Sequence, residues 1–104
     1  MIINNPPYNL DAEQSLLGAF ITDVNSQQCR EAMDMLNEDM FYLHGHKTIF
    51  KTIKRLVNEN QNVNLITVTE ALEANHELEN VGGFVYCAEI TNSNISHNLS
   101  IVTS

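Results

Sequence analysis

Two histidines one residue apart, His44 and His46, are the first residues in this chain that could do chemistry, since an HxH pair offers two imidazoles to a metal ion. A metal site needs three or four ligands. No cysteine, histidine or carboxylate stands at recognisable spacing around the pair, so His46 is expected to pack or hydrogen-bond in the first turn of a helix. An activated serine asks for a local motif such as GxSxG, and none is present. Glu38 and Asp39 stand side by side ahead of a helix, where the dipole favours negative charge, so capping explains them better than acid–base work. A nucleotide-hydrolysing motor needs GxxxxGK[ST], whose backbone amides and lysine hold the phosphates. The glycines are Gly18, Gly45, Gly82 and Gly83. Gly45 precedes His46-Lys47-Thr48 but has no glycine at the required upstream spacing. These residues therefore cannot hydrolyse ATP through such a loop. Cys29 and Cys87 lie far apart, fit no CxxC pattern, and read as two buried, reduced thiols.

A chain of 104 residues, 43% hydrophobic and 17% charged, is one globular domain able to close a single core. It carries 13 acidic against 5 basic residues, a net charge of −8. Such a surface repels phosphate, so autonomous DNA binding is not expected. No apolar run approaches a membrane span and Met1-Ile2-Ile3-Asn4-Asn5 lacks the features of a leader, which makes the cytoplasm the expected location.

The elements that must position these residues are helical. Pro6 and Pro7 favour an extended N-terminal arm over residues 1–10. A first helix follows from about Ala12 to Asp23, with Asp11 as its cap, Gln14 returning a capping-box bond, and Leu16, Leu17, Phe20 and Ile21 on one stripe. Asn25 and Ser26 can cap a second helix, in which Cys29, Ala32, Met33 and Leu36 repeat at helical spacing. Asn37-Glu38-Asp39 reads as a joining loop and Met40-Phe41-Tyr42 as an apolar plug, packed rather than exposed. The clearest helix runs from about Gly45 to Asn58, with Ile49, Phe50, Ile53, Leu56 and Val57 on one side. Asn64 or Thr67 can cap a fourth helix through Ala74, with Leu65, Val68 and Leu72 inward and Glu70, Glu73 and Glu77 as an acidic ridge. Val81-Gly82-Gly83 supplies a glycine-dependent turn before a fifth helix from about Phe84 to Thr91. Asn92-Ser93-Asn94 reads as a loop, after which Ile95, Leu99 and Val102 begin a sixth helix, the start of a truncated hairpin over residues 95–104. The expected fold is all-α, a compact irregular bundle of five or six helices.

Two surfaces are candidate interfaces. Lys47, Lys51, Lys54 and Arg55, four of the five basic residues in the chain, share one stripe opposite the apolar side of the third helix. They form either a solvated face or a contact for an acidic partner: nucleic acid, another protein, or the Glu70/Glu73/Glu77 ridge of a second copy. Ile95, Leu99 and Val102 either cover the domain's own core or begin a hairpin that meets another subunit.

Taken together and in order, Asp11-Ala12-Glu13-Gln14 with Leu17-Gly18, Asp39 through Phe41-Tyr42, His46 with Ile49-Phe50, Thr67-Val68 with Leu72, and Gly82-Gly83 with Tyr86 make the chain resemble the N-terminal domain of DnaB-type replicative DNA helicases. The likeness runs from about Pro6 to Leu99. Asn64 stands where that family commonly has aspartate and Cys87 where it has leucine. The resemblance implies a helical collar module above a hexameric ATPase ring, which self-associates as a dimer or hexamer and receives primase and a helicase loader. It implies no catalytic, cofactor or metal residue in this chain, ATP and magnesium belonging to a separate motor domain. The alternative it leaves open is a freestanding helical adaptor that binds a helicase or primase.

Overall fold

The structure, a computed structural model, describes the backbone of residues 10–103 and the side chains of residues 10–93. Five helices follow one another: α1 (Leu10–Asp23), α2 (Gln27–Met35), α3 (His44–Asn58), α4 (Leu65–Ala74) and α5 (Gly83–Thr103). Short 3₁₀ turns, Glu38–Met40 and Glu79–Val81, precede α3 and α5. Among the described residues there is no strand, and no helix is long and apolar enough to cross a membrane.

The apolar periods seen in the sequence point into one core. Leu17, Phe20 and Ile21 of α1 meet Ile49, Phe50 and Ile53 of α3, with Val68 and Leu72 of α4 and Cys87 and Ile90 of α5 closing the sides. Phe50 sits at its centre, its ring centroid 5.1 Å from that of Phe41 and 5.9 Å from that of Phe20. Cys87 is fully buried. Hydroxyls that enter this core bond within their own helix: Thr52 donates to the Thr48 carbonyl at 2.9 Å and Thr69 to that of Leu65 at 2.8 Å. α1 and α5 form the most extensive helix pair, and α3 bridges α1 and α4.

Helix ends follow sequence chemistry in some places and depart from it in others. Ser26 caps α2 by accepting from the Cys29 amide. Asn64 and Thr67 both take part at α4, as a reciprocal capping box with two 2.9 Å bonds. Neutral Asn64 thus caps α4 without a charge. α1, by contrast, already includes Leu10 and has Asp11 within its first turn, while Gln14 donates to Tyr86 instead of returning to a cap. The rest of the arm, residues 1–9, lies outside the described residues. Glu38 and Asp39 open the 3₁₀ turn, not α3, whose N-cap Leu43 offers no side-chain bond.

Three further expectations are corrected. Of the apolar plug only Phe41 is buried; Met40 and Tyr42 are 54% and 55% exposed, because the chain leaves the 3₁₀ turn through Phe41 in extended backbone, where successive side chains point to opposite sides. Asn92-Ser93-Asn94 is no loop: α5 runs through it unbroken, since none of these residues forbids helical backbone and neither glycine nor proline follows. Glu77 lies beyond the end of α4, so the helical ridge is Glu70 and Glu73 alone.

Candidate functional site: a buried polar chain and a basic face on one helix

His46 stands in the first turn of α3, fully buried beside α1 and α5. Its Nδ1 lies 2.7 Å from Glu13 Oε1 and its Nε2 2.7 Å from the Tyr86 hydroxyl. Glu13, 8% exposed, uses its second oxygen to accept from the Tyr42 backbone amide at 2.8 Å. The Gln14 side-chain amide donates to the Tyr86 hydroxyl at 3.1 Å. One arrangement of protons satisfies every partner around a neutral imidazole. Gln14 donates to the Tyr86 oxygen, the Tyr86 hydroxyl donates to Nε2, and Nδ1–H donates to an ionised Glu13. This assignment follows from the pattern of partners. Both imidazole nitrogens are committed, leaving no lone pair for a metal ion.

Local sequence explains how the three residues converge. Glu13 is one turn into α1, on the side that also buries Leu17 and Phe20. Gly45 lets α3 begin against Val81, since a Cβ there would lie 3.3 Å from the Val81 Cα. Gly82, at φ +115°, turns the chain into α5, and a Cβ on it would come within 2.8 Å of the Tyr86 Cβ. The glycine pair thus sets the position from which Tyr86 reaches His46.

An acid, an imidazole and a hydroxyl in a row have the order of a catalytic triad. Here, however, the imidazole is enclosed and the hydroxyl already serves as donor to it and acceptor from Gln14. The arrangement cross-links α1, α3 and α5. No local period could reveal it, because its members are 33 and 40 residues apart. A signal did exist: Glu13, His46 and Tyr86 each fall in a fragment that carries the family resemblance. On α5, burial pushes the Cys87 thiol up, so that it stays protonated at neutral pH. His44 is exposed, and among the described residues no three His, Cys, Asp or Glu side chains gather as a metal site would need.

The basic stripe does lie along α3, opposite the core, yet its four members differ. Lys54 folds back, its ammonium 5.6 Å above the Phe50 ring and donating to the Leu36 carbonyl at 3.4 Å. Lys47 is half-buried. Lys51, with a side chain 60% exposed, approaches Glu38 only to 3.9 Å, and Arg55 is exposed. Lys51, Lys54 and Arg55 border an open groove of about 630 Å³ that also includes Thr48, Glu38 and Glu77. Ile95, Leu99 and Val102 belong to α5, but their side chains lie outside the described residues.

A family model described as the DnaB-like helicase N-terminal domain matches residues 5–102. The replicative DNA helicase DnaB of Rhodothermus marinus is 37% identical over 86 residues, which cover 83% of this chain and 9% of that protein. That of Pasteurella multocida is also 37% identical over 86 residues, covering 83% of this chain and 18% of the relative. The Geobacillus stearothermophilus protein is 34% identical over 88 residues, covering 85% and 19%. The chain therefore spans less than a fifth of the length of these curated relatives. Among solved structures, the crystal structure of the N-terminal domain of DnaB helicase from Mycobacterium tuberculosis superposes with a TM-score of 0.75 at 26% identity, over 86% of this chain and 60% of that one.

Proposed function

Because the chain belongs to the DnaB-like helicase N-terminal domain family, we propose that it is the collar module of a hexameric replicative helicase, supporting ring assembly and receiving primase and a helicase loader. The observation that carries this reading is the match of nearly the whole chain, residues 5–102, to that one domain. The sequence supports a non-catalytic part: its four glycines make no phosphate loop, so ATP and magnesium would be handled by a motor domain elsewhere in the parent protein. The enclosed Glu13–His46–Tyr86 chain supports it too, since its groups are committed to holding helices together. Such a module works by presenting rigid surfaces to other proteins. With a net charge of −8 it adds nothing to DNA affinity by bulk charge.

The decisive experiment reads the open reading frame beyond Ser104 in the source DNA. A GxxxxGK[ST] loop within the next few hundred codons supports the collar; a stop codon close behind Ser104 replaces it with a freestanding adaptor. Docking is tested by calorimetric titration of the chain with the matching primase's C-terminal domain. Saturable heat at tens of micromolar is the expected result, and a flat titration would count against primase as a direct partner of this module.

A further inference from the structure

We propose that the N-terminal arm of this chain, residues 1–9, folds back over the apolar end of the domain where the first turns of α1, α3 and α5 meet. The inference is independent of the collar reading and assigns an occupant to the groove at that end.

Apolar side chains left in water are unevenly distributed. Among the described residues, seven large apolar side chains stand exposed, and four of them, Leu10, Tyr42, Phe84 and Val85, lie on or beside the turns that the Glu13–His46–Tyr86 chain ties together. Phe84 and Val85, 46% and 68% exposed, open α5 just ahead of Tyr86. Gly82 and Tyr86, on either side of them in the chain, border a mostly apolar groove of about 420 Å³ together with Leu43, Gly45 and Val81. Exposed apolar residues scattered singly need no explanation, whereas a group of them beside a groove marks a contact surface.

The arm matches that surface in composition and in reach. Met1-Ile2-Ile3-Asn4-Asn5-Pro6-Pro7-Tyr8-Asn9 has no charged side chain, although the chain as a whole carries −8, so its side chains meet the acidic domain without charge repulsion. It joins α1 at Leu10, one turn before Glu13 and Gln14, which hydrogen-bond the same His46 and Tyr86 that border the groove. Nine residues of extended chain reach about 30 Å, well beyond that step. Pro6 and Pro7 favour extended backbone, which lowers the entropy lost on docking, and Ile2 and Ile3 supply apolar surface to fill the groove. The tether itself favours this occupant, because a segment of the same chain is held at high effective concentration and gives up no translational freedom.

Nuclear Overhauser spectra of the methyl-labelled 104-residue chain test this. Contacts are expected from the Ile2 and Ile3 methyls to the Phe84 ring and the Val85 methyls. I2E/I3E should abolish them, shift the Val85 methyl resonances, and raise binding of an apolar dye such as ANS severalfold as the groove is uncovered. V85E, at an exposed position, should remove the same contacts from the other side while circular dichroism reports an unchanged helix content. A mixture of labelled and unlabelled chains separates a tethered arm from one lent by another molecule. Contacts that arise between chains would overturn the proposal in favour of a second copy as the occupant. A wild-type spectrum with no contact from the arm to Phe84 or Val85, or dye binding that I2E/I3E leaves unchanged, would overturn it outright. None of these results touches the open reading frame or the primase titration, so the collar reading stands or falls separately.

Discussion

α3 carries two opposite solutions to the placement of polar groups. On its inner side His46 is enclosed, and each of its nitrogens has a partner at 2.7 Å. On its outer side Lys51 reaches the nearest carboxylate at 3.9 Å, with both side chains largely in water. The inner groups left water on folding, so each must recover a bond from the protein or leave an unsatisfied donor or acceptor. The outer groups kept their hydration and lose little when a partner is removed. The buried side therefore holds the domain's shape, and the exposed side is available for contact at small cost to stability.

The comparison breaks most visibly at Glu13. Glu13→Ala removes the acceptor of both the His46 Nδ1–H and the Tyr42 amide, and is expected to cost about 3 kcal/mol in urea unfolding, with a fall in Tm of roughly 15 °C. Gly82→Ala attacks the same chain through the backbone. It puts a side chain at φ +115° with its Cβ 2.8 Å from the Tyr86 Cβ, and should cost about 2 kcal/mol. Tyr86→Phe keeps the ring and deletes the hydroxyl shared by His46 and Gln14. The expected loss is about 1.5 kcal/mol, with a change in the His46 Nε2 resonance in nitrogen-15 NMR as its hydrogen bond disappears. Asn64→Ala, which removes the side-chain half of the α4 capping box, should cost about 1 kcal/mol in the same titration. At the bottom of the scale, Lys51→Ala should leave the unfolding midpoint within about 0.5 kcal/mol of wild type. A Lys51 effect as large as that of Tyr86 would erase the distinction between the two sides of α3.

Much of this was legible in the sequence, and the division follows physical range. The helices, their apolar sides and the caps at Ser26 and Asn64 are set by residues three to eight apart, which a periodic reading captures. Residues 37 to 42 were harder, since a 3₁₀ turn has too few residues to show a period, and Met40 and Tyr42 came out exposed. Asn92-Ser93-Asn94 looked like a loop because such residues are common in loops; the helix around them overrides that weak preference. The buried chain was invisible as a unit. In the sequence Glu13 stands out only as a member of the Asp11-Ala12-Glu13-Gln14 fragment and His46 only as a histidine that packs or hydrogen-bonds in a helix's first turn, and only tertiary packing brings them within 2.7 Å. The stripe of three lysines and an arginine was legible as a stripe, but not the withdrawal of Lys54 onto Phe50.

The buried chain also constrains the order of events during synthesis. Its bonds join residues 33, 40 and 72 positions apart, from the first helix to the fifth. A ribosome that has just released Glu13 and Gln14 has produced groups whose partners do not yet exist. Local helices can form as they emerge and the Glu13–His46 bond needs only α3, but the loops of 40 and 72 residues cannot close until Tyr86 is available. Until then the nascent chain holds a carboxylate and an imidazole that are better left in water. The last of the three partners to be made is therefore the residue that permits the first helix to settle.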